Sequence, residues 1–286
     1  MATFTTLISA PDLAAHIHDP QWVVVDCRHD LMNLAAGRDG YAIGHIDTAL
    51  FVDLETELSG AKFDDDGVLR GRHPLPRRDD LIDTLRGLGI GDDTQVVAYD
   101  AHGGMFAARL WWLLRWIGHA QVAVLDGGLA AWQAQGLPMT TAVRQPVRGA
   151  ITERPSLVSS ASLQDVLENL QGGTRQVIDA RAPDRFRGEN ETIDPVGGHI
   201  PGAKNRFFKD NLAADGRFKD GATLHRDWYA LVDDPARAIM QCGSGVTACH
   251  NLLALEVAGL PGASLYPGSW SEWCADPARP VATGTA

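Results

Sequence analysis

The stretch "AIMQCGSGVTACHNLL" (238–253) sets Cys242 between an apolar run and a helical pattern, in a turn made of two glycines, a serine and a threonine. A free cysteine titrates near ~8.5, and its thiolate, not its thiol, is the nucleophile. Gly243 and Gly245 carry no Cβ, so the backbone can take positive φ values and curl its N–H groups inward as an anion nest. A helix expected from about Thr247 adds the positive end of its dipole, while Ser244 and Thr247 add hydroxyl donors. The expected cradle therefore runs over Gly243, Ser244, Gly245, Val246 and Thr247 and suits a thiolate or an anion built on one. The alternative is a buried structural cysteine. Cys27, Cys249 and Cys274 fit that description, whereas a Gly-Ser-Gly turn offers Cys242 little to pack against.

The elements that position this turn are written twice. "WVVVDCR" (22–28) returns as "RQVIDAR" (175–181), and "YAIGHIDTALFVDLETEL" (41–58) as "VGGHIPGAKNRFFKDNL" (196–212). "QVVAYDAHGGMFAARLWWLLRWIGH" (95–119) parallels "AIMQCGSGVTACHNLLALEVAGL" (238–260), and "VLDGGLAAW" (124–132) parallels "LYPGSWSEW" (265–273). Short Val/Ile-rich runs alternate with helical stretches such as "RRDDLIDTLRGLGI" and "FAARLWWLLRWIG". That alternation predicts an α/β fold in two halves, each a mostly parallel sheet with helices on both faces. Functional groups in such sheets collect where strands end and helices begin. The Pro-rich, polar segment 136–159 reads as the connection, giving halves of 1–142 and 155–286.

Duplication supplies an internal control. Asp26 and Asp179, Arg28 and Arg181, and His45 and His199 occur in both halves and read as scaffold. Asp100 stands where the second half has Cys242, and Arg185 corresponds to Met32. A thiol and a guanidinium therefore coincide in one half only, which marks the second half as the reactive one.

Composition bounds the partners. The chain has 286 residues, 45% of them hydrophobic, and a formal charge of −11. That charge argues against nucleic acid as a partner but leaves room for a small anion in a locally positive cleft. "RLWWLLRWIG" is too short to span a bilayer, and the N-terminus shows no signal-peptide pattern. Four scattered cysteines do not form a disulfide framework, so a cytoplasmic protein without metal or cofactor is expected.

Cys-Gly-Ser-Gly-Val-Thr (242–247), with "PGSWSEW" (267–273) and "HIPGAKN" (199–205), resembles the two-domain rhodanese-type sulfurtransferases over nearly the whole chain. The loop is most similar to that of 3-mercaptopyruvate sulfurtransferases; thiosulfate-preferring relatives tend to carry basic residues where Ser244 stands. The resemblance implies two tandem rhodanese-like domains, the first inactive. It also implies that Cys242 takes a sulfane sulfur from 3-mercaptopyruvate or thiosulfate as a persulfide. A thiol, cyanide or a thioredoxin-like protein then accepts that sulfur, in two half-reactions. Arg185 matches the substrate arginine, whose planar fork can hold a carboxylate or sulfonate. Ser244 either assists the leaving group or caps the following helix. His73, in "GRHPLP", resembles a first-domain histidine facing the cleft, though an exposed loop histidine is the plainer reading of the residues. A second arginine usual before the Gly-His-Ile turn is missing: "GENETIDPVGGHI" holds Glu189, Glu191 and Asp194, so another residue such as Arg187 must reach in, or donor preference has drifted.

Two other functions share parts of the pattern. Cysteine phosphatases also cradle an anion over a thiolate, but they need an arginine where this chain has Ala248. A tandem rhodanese fold can also serve as a non-catalytic persulfide carrier or binding module, as Asp100 in the first half illustrates.

Overall fold

Val/Ile-rich strands buried on both faces require a parallel sheet covered by helices. The computed structural model, which describes residues 3–285, contains two such sheets. The first runs Leu50–Phe51, Trp22–Asp26, Gln95–Tyr99, Val122–Leu125, Leu7–Ile8, all parallel. The second runs Lys204–Asn205, Gln176–Asp179, Ala238–Gln241, Ser264–Leu265, Ser159–Ser160, again all parallel. Strand for strand, the order is the same. Residues 1, 2 and 286, which bound the expected halves, lie outside the described residues.

The chain forms two compact units that do not follow its halves simply. One unit takes the chain through Ser59, Pro76–Leu157 and Ala214–Phe218. The other takes Gly60–Leu75, Val158–Ala213 and the chain from Lys219 onward. Segment 60–75 thus comes from the first half of the sequence and packs in the second unit, where the Arg72 N–H donates to Ser271 Oγ at 2.9 Å. Much of the Pro-rich connection is tied down as well. Met139–Thr140 pairs antiparallel with His45–Ile46, and the N–H groups of Gly149, Ile151 and Arg154 donate to Arg86, Ile90 and Ile117.

Packing explains the conserved order of strands. The first core gathers Leu13, Trp22, Val24, Val97, Tyr99, Leu125 and Trp132. The second gathers Val166, Val177, Ile239, Tyr266, Trp270 and Trp273 around equivalent strands. The helix Thr247–Val257 is buried from Ala248 to Leu255, as the helix Ala107–Trp116 is from Ala107 to Leu114 in the first unit. Among the described residues no helix is long and apolar enough to cross a membrane.

The shared Asp-x-Arg and Gly-His-Ile motifs make the same bonds twice. Arg28 forks onto Asp26 and donates to the Gly44 carbonyl; Arg181 forks onto Asp179 and donates to the Gly198 carbonyl. His45 Nδ1 lies 2.8 Å from the Tyr41 carbonyl and stacks on that tyrosine. His199 Nδ1 lies 2.8 Å from the Phe186 carbonyl and stacks on that phenylalanine. Each motif ties a strand end to the turn that follows it.

Candidate active site

Cys242 follows the strand Ala238–Gln241 and opens the turn into the helix Thr247–Val257. The turn is not open, as the sequence suggested, but buried: Cys242 is 1% exposed. Its packing comes from "PGSWSEW". Ser269 Oγ accepts the Cys242 N–H at 3.1 Å and donates to the Tyr266 carbonyl at 2.9 Å. The N–H groups of Trp270 and Ser271 donate to the carbonyls of Cys242 and Gly243. Ser269 adopts φ 54°, a left-handed conformation rare outside glycine, and its first-unit counterpart is Gly128 at φ 56°. The exchange of glycine for serine adds the hydroxyl that holds the cysteine backbone.

Only one of the two turn glycines takes the expected positive φ. Gly245 sits at φ 75°, where a Cβ would collide with the Pro267 carbonyl. Gly243 lies outside the left-handed region; its bare Cα instead makes room for charge. A Cβ there would lie 3.6 Å from Arg72 Nη1 and 3.8 to 3.9 Å from the Arg185 Nη atoms. Two guanidinium groups therefore converge beside the residue that follows the thiol.

Asp100 in the first unit shows what this type of turn binds. Its carboxylate accepts the backbone N–H groups of His102, Gly104, Phe106 and Ala107 at 2.7 to 3.0 Å. The Leu129 N–H donates to the Asp100 carbonyl, as the Trp270 N–H does to that of Cys242, which fixes the register of the two positions. Where the first unit places a negative charge, the second places sulfur.

Arg185 sits on the short helix Pro183–Arg187, with its Nε and Nη2 on Glu191 (2.8 to 3.2 Å) and its Nη2 also 3.1 Å from Asp194. Arg72 holds the other oxygen of Asp194. Glu191 also meets Arg181 at 3.3 Å. Burial disfavours ionisation of Glu191, yet the bonds from Arg185 and from the Asp194 and Ile193 N–H groups hold its pKa below the ordinary value. At Asp194 burial prevails, and its pKa is raised despite Arg72 and Arg185. Arg187 does not reach in; it pairs with Glu189 near the surface. The second cation comes instead from Arg72, which the sequence reading missed because it lies in the other half of the chain.

His73 is fully buried rather than exposed, and its Nδ1 lies 2.7 Å from Ser244 Oγ. That bond also answers the capping alternative for Ser244. Val246 is the N-cap of the following helix and no side chain caps it. Val246 is itself buried, and Thr247 begins the helix. Cys27, Cys249 and Cys274 are buried, with Cys249 Sγ directed to the Gly245 carbonyl at 3.3 Å. Burial pushes the Cys274 thiol up to about 11 and Cys27 well above the ordinary thiol value.

The rhodanese-like domain family matches residues 9–135 and 162–276. A Pseudomonas aeruginosa protein named as a probable 3-mercaptopyruvate sulfurtransferase is 48% identical, over 97% of this chain and 98% of its own length. The thiosulfate sulfurtransferase of Mus musculus is 34% identical, over 94% of this chain and 92% of its own. Among solved structures, the 3-mercaptopyruvate sulfurtransferase SseA of Escherichia coli superposes with a TM-score of 0.79 at 33% identity, covering 94% of this chain and all of that one. This chain belongs to the rhodanese family and carries two rhodanese-like domains in tandem.

Proposed function

We propose that the protein is a sulfurtransferase that loads Cys242 with sulfur from 3-mercaptopyruvate, with thiosulfate as a second donor, and passes it to a thiol, cyanide or a thioredoxin-like protein. The Cys242 thiolate attacks the donor sulfur, forming the S–S bond of a persulfide. The carbon–sulfur bond of 3-mercaptopyruvate breaks, and its electron pair passes to the three-carbon fragment as the enolate of pyruvate. That enolate takes up a proton and leaves as pyruvate. An acceptor nucleophile then takes the outer sulfur and returns the thiolate.

The observation that carries this reading is the convergence of the Arg72 and Arg185 guanidinium groups beside Gly243, next to the thiol. Two planar forks suit a small carboxylate or sulfonate. On this reading Ser244, whose Oγ lies 2.7 Å from His73 Nδ1, donates to the oxygen on which the enolate charge develops. No basic side chain stands in the loop 243–247, which favours the keto acid over thiosulfate. The turn at Asp100 has no thiol and carries no sulfur on this reading, although the first half of the sequence supplies Arg72 and His73. None of the four cysteines is in a disulfide, which supports a reducing compartment such as the cytoplasm.

Treating the protein with 3-mercaptopyruvate and digesting it should leave one cyanide-labile sulfur on the peptide holding Cys242. Sustained turnover with cyanide or a thiol separates an enzyme from a carrier, which loads once and stalls. A protein that takes up no sulfur from either donor would falsify the proposal.

A further inference from the structure

The two donor-facing guanidinium groups do not stand alone. One carboxylate, Asp194, bridges them, with one oxygen on Arg72 and the other on Arg185, and it is 3% exposed. Glu191, 4% exposed, takes the remaining edge of Arg185 and shares Arg181, whose principal partner is Asp179. The cluster thus contains Arg72, Arg181 and Arg185 against Asp179, Glu191 and Asp194, so its charges balance before any donor arrives. Buried carboxylates held from two sides do not swing away to solvent, because each would leave a guanidinium unpaired. A donor therefore meets cations whose field is already largely cancelled. What remains is directional: the Nη1 edges of Arg72 and Arg185 near Gly243.

We infer that Asp194 selects the donor by charge, admitting a monoanionic keto acid and disfavouring a dianion such as thiosulfate. This inference rests on the sulfurtransferase reading and deepens it. A single carboxylate can use the two directed edges while adding one negative charge to a balanced cluster. Thiosulfate brings two negative charges to the same place, and the repulsion from Asp194 acts on both. Asp194 acts through Arg72 and Arg185, so it is a positioning and selecting residue rather than a catalytic one.

The test measures kcat/KM for 3-mercaptopyruvate and for thiosulfate in the wild type and in Asp194→Asn. Asparagine keeps the shape and one of the two acceptor oxygens while removing the charge, so one of the two guanidinium groups loses its partner. The ratio of thiosulfate to 3-mercaptopyruvate specificity should rise about tenfold, a change that simple loosening of the site would not produce, since loosening impairs both donors. Should Asp194→Asn not fold, Glu191→Gln removes the same charge from the same cluster and must move the ratio in the same direction. A ratio that stays the same or falls in the folded variant overturns the inference. A wild type that acquires no persulfide from either donor overturns the sulfurtransferase reading itself, so the two failures are distinct.

Discussion

His73 Nδ1 and Ser244 Oγ lie 2.7 Å apart, although 171 residues separate them in the chain. The pair links segment 60–75 to the cysteine turn within one compact unit. Because Ser244 is engaged by a ring nitrogen rather than by the helix below it, its hydroxyl has a reason to be polarised. Replacing Ser244 with alanine should lower kcat with 3-mercaptopyruvate by about 10²-fold, the scale of a lost acid–base group. Thiosulfate, whose sulfite leaving group needs no such proton, should be affected far less. Equal losses with both donors would show that Ser244 only shapes the turn.

Arg185→Ala removes one of two guanidinium groups beside Gly243 and also leaves Glu191 with fewer partners. Loss of a charge-assisted contact of this kind should cost about 2–4 kcal/mol in kcat/KM for the preferred donor. Arg72→Ala should raise KM in the same direction. Steady-state kinetics on both variants, with melting curves to confirm folding, decide the matter. An unchanged KM for Arg72→Ala would return the second-cation role to an unidentified residue.

Thiol chemistry should be confined to one position. Burial holds Cys274 at about 11 and Cys27 well above the ordinary thiol value, so both remain protonated at pH 8. Peptide mapping after donor treatment should therefore find added sulfur on Cys242 and none on Cys27 or Cys274. Cys242→Ser should abolish both the adduct and turnover. Sulfur recovered on Cys27 or Cys274 in the folded protein would count against a single reactive thiol.

Glu191 offers a test through pH. Its native pKa is depressed, so its charged form stabilises the fold above the carboxylate's unfolded value near ~4.3, and that contribution disappears as pH falls through the native pKa. Glu191→Gln should therefore melt lower than the wild type at pH 7, by about 2 kcal/mol given the partly unpaired guanidinium groups left behind. The gap should narrow as the pH approaches 3. A gap that stays constant across this range would mean that packing, not charge, accounts for the loss.

Much of the fold was legible because its signals are local and occur twice. The strands Trp22–Asp26, Gln95–Tyr99 and Gln176–Asp179 and the helix from Thr247 lie where the apolar runs and the turn residues put them. Cys242 and Arg185 were visible because each lacks a counterpart in the first half. Arg72 was not, because nothing in "GRHPLP" shows that this loop packs in the second unit; only the long-range bonds to Ser271 and Asp194 do. The acidic loop needed the fold for a related reason. Nothing in its sequence shows that Glu191 and Asp194 are paired with three arginines. Ser269 likewise reads as an ordinary turn residue until its left-handed backbone and its bond to the Cys242 N–H are seen.

The exchange of segment 60–75 has a consequence for how this molecule can be divided. A gene cut midway, at the point where the duplicated text begins again, would yield a downstream product that keeps the sulfur-bearing residue but loses both Arg72 and His73. The silent copy is thus bound to its partner by inheritance, since it encodes two side chains that the working copy cannot supply from its own stretch of DNA.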